Sequence, residues 1–345
     1  MVPVQRPARP TIKDVARAAG VSPTTVSHAL NGKGVVRRET EERIRQVAAR
    51  IGYRPSAIAR GLRNSRLGLL GLIIRPFDTL DSFIPAGVDY FLRIAGSASL
   101  TAMEHGYSLM MVDDPSKRGR PVSALAADGY VVTEPFENDP VLSLLERERI
   151  PFVAVGADIA RRDEFVTMDT LADKQAVQMI EHLVSAGATR VALVVGTDRN
   201  AWNLDSRDAY LDWCARVGQD PLWIAIPEAQ GERAGEIALD RFFGEGAADA
   251  PDAVYCLMGR QASGIARAAV ARGISVPDEL LVAAGSGALQ NQTMHPTVTA
   301  FDLQPEVIAQ RAVEAVIRLI EGEAVETPFE APEALLHLRE STQRV

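Results

Sequence analysis

The chain is 345 residues long, 47% hydrophobic and 24% charged, a composition that excludes an intrinsically disordered chain and leaves room for two or three folded domains. Its longest largely apolar run, Leu67–Ile74, is eight residues against the roughly 20 of a membrane helix; Met1–Pro10 is a Pro- and Arg-rich tail, so neither a membrane span nor a secretory leader is expected. The formal charge of −8 is unevenly placed: residues 1–66 hold 14 Lys/Arg and four acids, a net of +10, whereas residues 67–345 hold 23 Lys/Arg and 41 acids, a net of −18. That asymmetry points to a nucleic-acid-binding head on an acidic body.

After the tail (residues 1–10), Thr11-Ile12-Lys13-Asp14 reads as a capping box: the Thr11 hydroxyl accepts the amide of residue 14 and Asp14 reaches back to the Thr11 amide. Ile12, Val15, Ala16 and Ala19 share one face of a short helix. Gly20 ends it, because a residue without Cβ adopts the left-handed turn. Ser22 caps a second helix and Pro23 occupies its first position, where no amide donor is needed. Val26, Ala29 and Leu30 form its inward stripe, and Asn31-Gly32 stops it. Two short helices joined around a glycine make a helix-turn-helix, whose second helix enters the major groove of DNA. The outward residues Thr24, Thr25, Ser27 and His28 can hydrogen-bond base edges, and a threonine methyl can pack on thymine. A third helix is expected from about Glu39 to Arg50, with Ile44, Val47, Ala48 and Ile51 inward and Gly52 as its stop. Beyond it, Ser56 can cap a two-turn helix that is marginal by length and weakened by Gly61. Leu62 there is either an apolar wedge between base steps in the minor groove or a residue packed on the body.

From residue 67, short apolar runs alternate with longer helical stretches. The strands expected are Leu69–Ile74, Ser108–Val112, Tyr130–Val132, Phe152–Val155, Val191–Val195, Ala253–Leu257 and Leu280–Ala284, with helices between them. Such alternation predicts an α/β body of doubly wound parallel sheets, behind a small all-α helix-turn-helix head. Cys214 and Cys256, with no Cys-x-x-Cys and no histidine cluster, predict neither a disulfide framework nor a metal site. No dinucleotide fingerprint after the first strand, nucleophile elbow, phosphate loop or zinc-protease signature is present, so neither an enzyme nor a cofactor is expected.

The string Thr11–Asn31 (TIKDVARAAGVSPTTVSHALN) resembles the N-terminal signature of the lactose-repressor (LacI/GalR) family, and Gly52-Tyr53, Pro55-Ser56 and Ala59–Arg63 resemble its hinge helix. One departure is visible: Arg37 stands where that family's third helix usually opens on a serine. The resemblance implies a cytoplasmic transcriptional regulator, by default a repressor. It would bind double-stranded, pseudo-palindromic operator DNA as a homodimer or tetramer, with no membrane partner. It places DNA contacts at Thr11, Ser22, Thr24, Thr25, Ser27, His28, Asn31, Tyr53, Ser56, Ala57, Arg60 and Leu62. The domains it implies are a helix-turn-helix over 11–54, a hinge over 55–66 and an effector-binding and dimerisation body over 67–345. That body is expected to be a two-lobed periplasmic-binding-protein-like fold, lobe 1 over about 67–166 and 297–326 and lobe 2 over about 167–296 and 327–345.

Between the lobes the resemblance implies a small-molecule effector, a sugar, sugar acid or related metabolite, with Phe83, Asp169, Arg207, Arg260 and Ser286 as its contacts. Arg207 either grips that effector or pairs with Asp205 or Asp208, and Arg260 points either into the cleft or to solvent. Phe83, Trp202 and Trp223 serve either a ligand ring or the core. Gly259-Arg260 and Ser286 stand where the family usually carries sugar-binding acids, and two arginines would suit an anionic effector. A transport-type binding protein shares such a body but has no use for a basic head. A nucleoid-associated protein would bind DNA without an effector.

Overall fold

Three helices build the head: α1 (Ile12–Ala19), α2 (Pro23–Asn31) and α3 (Arg38–Ile51). The computed structural model describes residues 10–31, 36–53, 66–75, 89–244 and 250–344, and the chain separates into two units, Met1–Leu67 and Gly68–Val345. Val15, Val26 and Ile44 are fully buried where the head helices meet, and Ala16, Ala19, Ala29 and Ala48 let their backbones approach. Gly20 and Gly52 close α1 and α3 in the left-handed conformation, at φ 65° and 73°. The start of α1 carries the expected capping box. Asp14 Oδ2 accepts the Thr11 amide at 2.9 Å, and the Thr11 hydroxyl donates to the same oxygen at 2.7 Å. The ionised carboxylate is the stronger acceptor and takes both protons. Helix α3 starts at Arg37 with no side-chain cap bond.

The body consists of β1 (Leu69–Ile74), α4 (Asp89–Glu104), β2 (Ser108–Met111), β3 (Gly129–Thr133), α5 (Pro140–Arg147), β4 (Phe152–Val155), β5 (Thr167–Asp169), α6 (Ala172–Ser185), β6 (Val191–Val195), α7 (Ala201–Val217), β7 (Trp223–Ala225), α8 (Ala234–Phe243), β8 (Ala253–Cys256), α9 (Gly259–Ala271), β9 (Leu281–Ala284), α10 (Leu289–Thr293), β10 (Thr299–Asp302), α11 (Pro305–Glu321), β11 (Phe329–Glu330) and β12 (Leu335–His337). They form two six-stranded sheets, ordered β11-β5-β4-β3-β1-β2 and β12-β10-β9-β8-β6-β7. Every pairing is parallel except β10 with β12. Strands such as Val191–Val195 are apolar throughout because both faces are covered. In the first lobe α4 and α11 cover one face, through Ile94, Ala98, Ile308 and Val313, and α5 covers the other through Val141, Leu142 and Leu145. In the second lobe α6 and α7 lie on one face and α8 and α9 on the other.

The lobe boundaries differ from the expected ones. Residues 167–169 pair with β4 and 329–330 with β5, so both belong to the first lobe, whereas 299–302 pair with β9 and belong to the second. The chain therefore crosses between lobes after β5, after β10 and after β11. The first two crossings share one device. Asp169 Oδ1 accepts the Leu171 amide and Asp302 Oδ1 accepts the Gln304 amide, each at 2.9 Å. Leu171 and Gln304 stand at φ 58° and 53°, a conformation costly for a side chain bearing Cβ. Each strand so turns sharply into the helix of the other lobe.

Arg149, exposed just beyond α5, is also left-handed at φ 55°. Arg149→Gly is expected to stabilise the body by about 1 kcal/mol, since glycine takes this conformation without the Cβ penalty. An unchanged or lower urea midpoint would contradict that expectation.

Candidate functional site

Two candidate surfaces emerge, one in each unit. On the head, Ser22 Oγ accepts the Thr25 amide at 3.1 Å, which caps α2 and fixes its first turn. The Thr25 hydroxyl lies 2.8 Å from Ser22 Oγ, so it is partly engaged within the cap. Thr24 and His28 are exposed, Thr25 and Ser27 half-buried, and Thr11 and Ser22 exposed. Tyr53 packs against the head's core. Asn31 is the last residue of α2. The expected contacts Ser56, Ala57, Arg60 and Leu62 lie outside the described residues, as does Phe83.

On the body, a cavity of about 140 Å³ opens between the lobes at the carboxyl ends of the strands, where ligands bind in open α/β sheets. Glu134 at the end of β3 and Tyr90 and Phe91 of α4 line it from the first lobe; Gln175, Trp202, Glu228, Arg260 and Ser286 line it from the second. The lobes also touch across the cleft: Glu137 donates its amide to the Arg199 carbonyl at 2.8 Å and accepts from Arg199 Nε at 2.6 Å, and Arg162 pairs with Asp205.

Several polar groups of the lining are already engaged. Ser286 Oγ donates to the Leu257 carbonyl at 3.2 Å and accepts the Gly259 amide at 3.3 Å, so it holds the loop at the start of α9. Glu228 Oε2 accepts the Thr197 amide, and Oε1 accepts the Asp198 amide and Asn203 Nδ2, a close approach that Gly196 permits: a Cβ there would lie 1.8 Å from Glu228 Oε1. Among the described residues of the lining, three buried atoms are not engaged: Glu134 Oε2, Gln175 Oε1 and Arg260 Nε. Gln175 Nε2 donates to the Thr170 carbonyl at 2.9 Å, which fixes the amide's orientation and leaves Oε1 as an acceptor. Glu134 is buried and left-handed at φ 48°. Burial first, and the Asp205 charge second, push its carboxyl up to about 8.

Of the expected effector contacts, Arg260 and Ser286 line the cavity, and two others do not. The Asp169 carboxylate is held in the crossing turn with the Leu171 amide. Arg207 pairs with Asp208 at 2.6 Å, its guanidinium 5.8 Å from the Trp223 ring centroid. The pair of arginines expected to grip an anion is therefore not assembled in the cavity. Trp202 borders the cavity and the core together, whereas Trp223 packs on the second lobe's core. Glu134, Gln175 and Glu228 were not singled out from the sequence. For Glu134 a signal exists, an acid two residues after the apolar run Tyr130–Val132, at a strand's carboxyl end. Among the described residues no cluster of three or more His, Cys, Asp or Glu could hold a metal ion, and no helix is long and apolar enough to cross a membrane.

Residues 11–56 match the family described as bacterial regulatory proteins, lacI family, and residues 180–342 match the periplasmic binding protein-like domain. The head thus matches the lacI-family DNA-binding domain, and much of the body matches a periplasmic binding protein-like domain. Catabolite control protein A of Staphylococcus epidermidis is 26% identical over 328 residues, 92% of this chain and 94% of that protein. The HTH-type transcriptional regulator MalR of Streptococcus pneumoniae is 28% identical over 195 residues, 55% of this chain and 58% of that protein. In fold the chain is similar to the lac repressor dimer bound to operator and the anti-inducer ONPF, with TM-score 0.76 at 18% identity, covering 98% of this chain and 100% of that one. The protein is a DNA-binding transcriptional regulator, with a lacI-type helix-turn-helix head and a two-sheet, periplasmic-binding-protein-like body. The MalR relative is itself named a transcriptional regulator.

Proposed function

We propose that this regulator represses transcription in the cytoplasm by binding a pseudo-palindromic operator as a homodimer, and that a small molecule in the interlobe cavity sets its affinity. The observation that carries the effector reading is the set of unengaged buried atoms contributed by both lobes: Glu134 from the first, Gln175 and Arg260 from the second. A buried polar atom without a partner costs free energy. A ligand that satisfies all three gains that free energy only when the lobes are together, so it favours one lobe arrangement over another. Dimerisation through the first lobe is supported by Leu100 and Met103 of α4, 64% and 67% exposed, with half-exposed Met111 on the edge strand β2. One head reads too few base pairs to be specific, which a second copy remedies.

The same atoms bear on the effector's chemistry. Gln175 Oε1 needs a donor, as does Glu134 when ionised, whereas Arg260 Nε needs an acceptor. Glu134, Asp198 and Glu228 outnumber Arg260 in the lining, and Arg207 lies elsewhere. A neutral polyhydroxylated ligand, whose hydroxyls both donate and accept, fits better than the anionic effector that two arginines suggested. The aromatic faces of Phe91 and Trp202 suit its apolar ring faces. A thermal-shift screen of neutral sugars beside their acids and phosphates tests this. Neutral sugars are expected to stabilise the protein, by about 2.7 kcal/mol at 100 times Kd. Stabilisation by the anionic forms alone would overturn the choice of ligand class.

A further inference from the structure

Glu134 combines features that its neighbours do not share. Its side chain is 7% exposed, Oε2 is buried without a partner, and no hydrogen bond to the carboxyl is found among the described residues. Its backbone is left-handed although it carries a Cβ, a strain that persists where the surrounding structure imposes it. Behind it, Gly156 at φ 84° leaves space: a Cβ there would lie 3.3 Å from Glu134 Oε2.

The groups around Glu134 do not neutralise it. Tyr90 faces it from α4, and Asp205, the charge acting on it from α7, is negative and already paired with Arg162. The other charged groups of the lining, Asp198, Glu228 and Arg260, come from the second lobe, and Glu228 is saturated by its own loop. A carboxylate buried without a cation or donors is strongly disfavoured, and the group takes up a proton instead.

A ligand changes that balance. Hydroxyl or amino protons donated to Glu134 stabilise its ionised form, which accepts through both oxygens. We propose that Glu134 stands protonated in the ligand-free cavity and releases that proton to solvent when a hydroxyl- or amino-bearing effector binds, so that effector affinity rises with pH. The coupling rests on the reading of the cavity as an effector site; the protonation of the empty cavity does not.

Urea unfolding of the ligand-free full chain across pH 5–9, native beside Glu134→Gln, tests the protonation. The folded chain holds a proton that the unfolded chain gives up near the ordinary glutamate value of 4.5, up to about 8. The native protein is therefore expected to lose stability relative to Glu134→Gln as pH rises through that window. Parallel curves would overturn the proposal. If Glu134→Gln does not fold, Asp205→Asn removes the like charge and is expected to move the native transition to lower pH; an unmoved transition counts against the proposal.

Calorimetric titration of the full chain with maltose, in two buffers of different protonation enthalpy, tests the coupling. The native protein is expected to give a buffer-dependent heat and an affinity that rises by up to about tenfold per pH unit; Glu134→Gln is expected to give neither. Binding with buffer-independent heat would overturn the coupling. A pH-linked stability with no binding by any neutral or amino sugar would sustain the protonation and sink the effector reading, and the coupling with it.

Discussion

Replacing Arg75 by alanine is expected to lower the stability of the body by roughly 3–5 kcal/mol, a large part of the net stability of a folded domain. Arg75, directly after β1, is 3% exposed. Its Nε donates to Asp139 Oδ2 at 2.7 Å and its NH1 to Asp114 Oδ2 at 3.0 Å, and the guanidinium lies 4.8 Å from the Phe136 ring centroid. Asp139 also caps α5 through the Val141 amide and accepts the Phe136 amide. One cation so ties the ends of β1 and β2 to the loop that enters α5. Without it, two buried carboxylates are left uncompensated. Burial works against ionisation of Asp114, but hydrogen bonds from Ser116 and then the Arg75 charge hold its carboxyl below the ordinary range. The stabilisation this represents is present above the unfolded value of 3.8 and is lost as pH falls below it. The damage from Arg75→Ala should thus be largest at neutral pH and shrink in acid. Urea unfolding at pH 7 and at pH 3 measures both; a loss below 1 kcal/mol at pH 7 would show that the triad is not holding these elements.

The second large effect is expected at the head. Thr24→Ala and His28→Ala should each weaken binding to a specific duplex by about 1–3 kcal/mol while leaving non-specific binding nearly unchanged. Both side chains are exposed on α2, so their removal costs the fold little. Thr25→Ala should behave differently. Its hydroxyl bonds Ser22 Oγ, so part of its effect should appear as a loss of head stability, of the size of a weakened cap, about 1 kcal/mol. Fluorescence anisotropy on specific and scrambled duplexes, beside thermal unfolding, separates the two behaviours. Equal losses on both duplexes for Thr24→Ala and His28→Ala would mean that this face does not read sequence.

The head was legible because its signals are local. Gly20, Ser22-Pro23 and Gly52 each act within a few residues of the turn they make, and the helices fall where those residues put them. In the body, the long apolar strands were legible for the same reason. Thr167–Asp169, Trp223–Ala225 and Phe329–Glu330 are two or three residues long, too short for a period to show. Their pairing is set by distant partners, and so is the point at which the chain crosses between lobes. The cavity was only partly legible. Resemblance carried Asp169 and Arg207 to the effector, but the Leu171 amide and the Asp208 carboxylate claim them. Nothing in the order of residues announces that Glu134 meets Gln175 and Arg260 across two separate sheets.

The head is expected to read DNA sequence through α2, and to do so twice, through two copies of the chain. Selection of bound fragments from a random duplex pool by the full-length protein tests it most directly. The selected sequences are expected to contain two inverted half-sites with centres about one helical turn apart, and Thr24→Ala with His28→Ala should abolish that enrichment. Enrichment of no common sequence, or of the same sequence by the double variant, would contradict it.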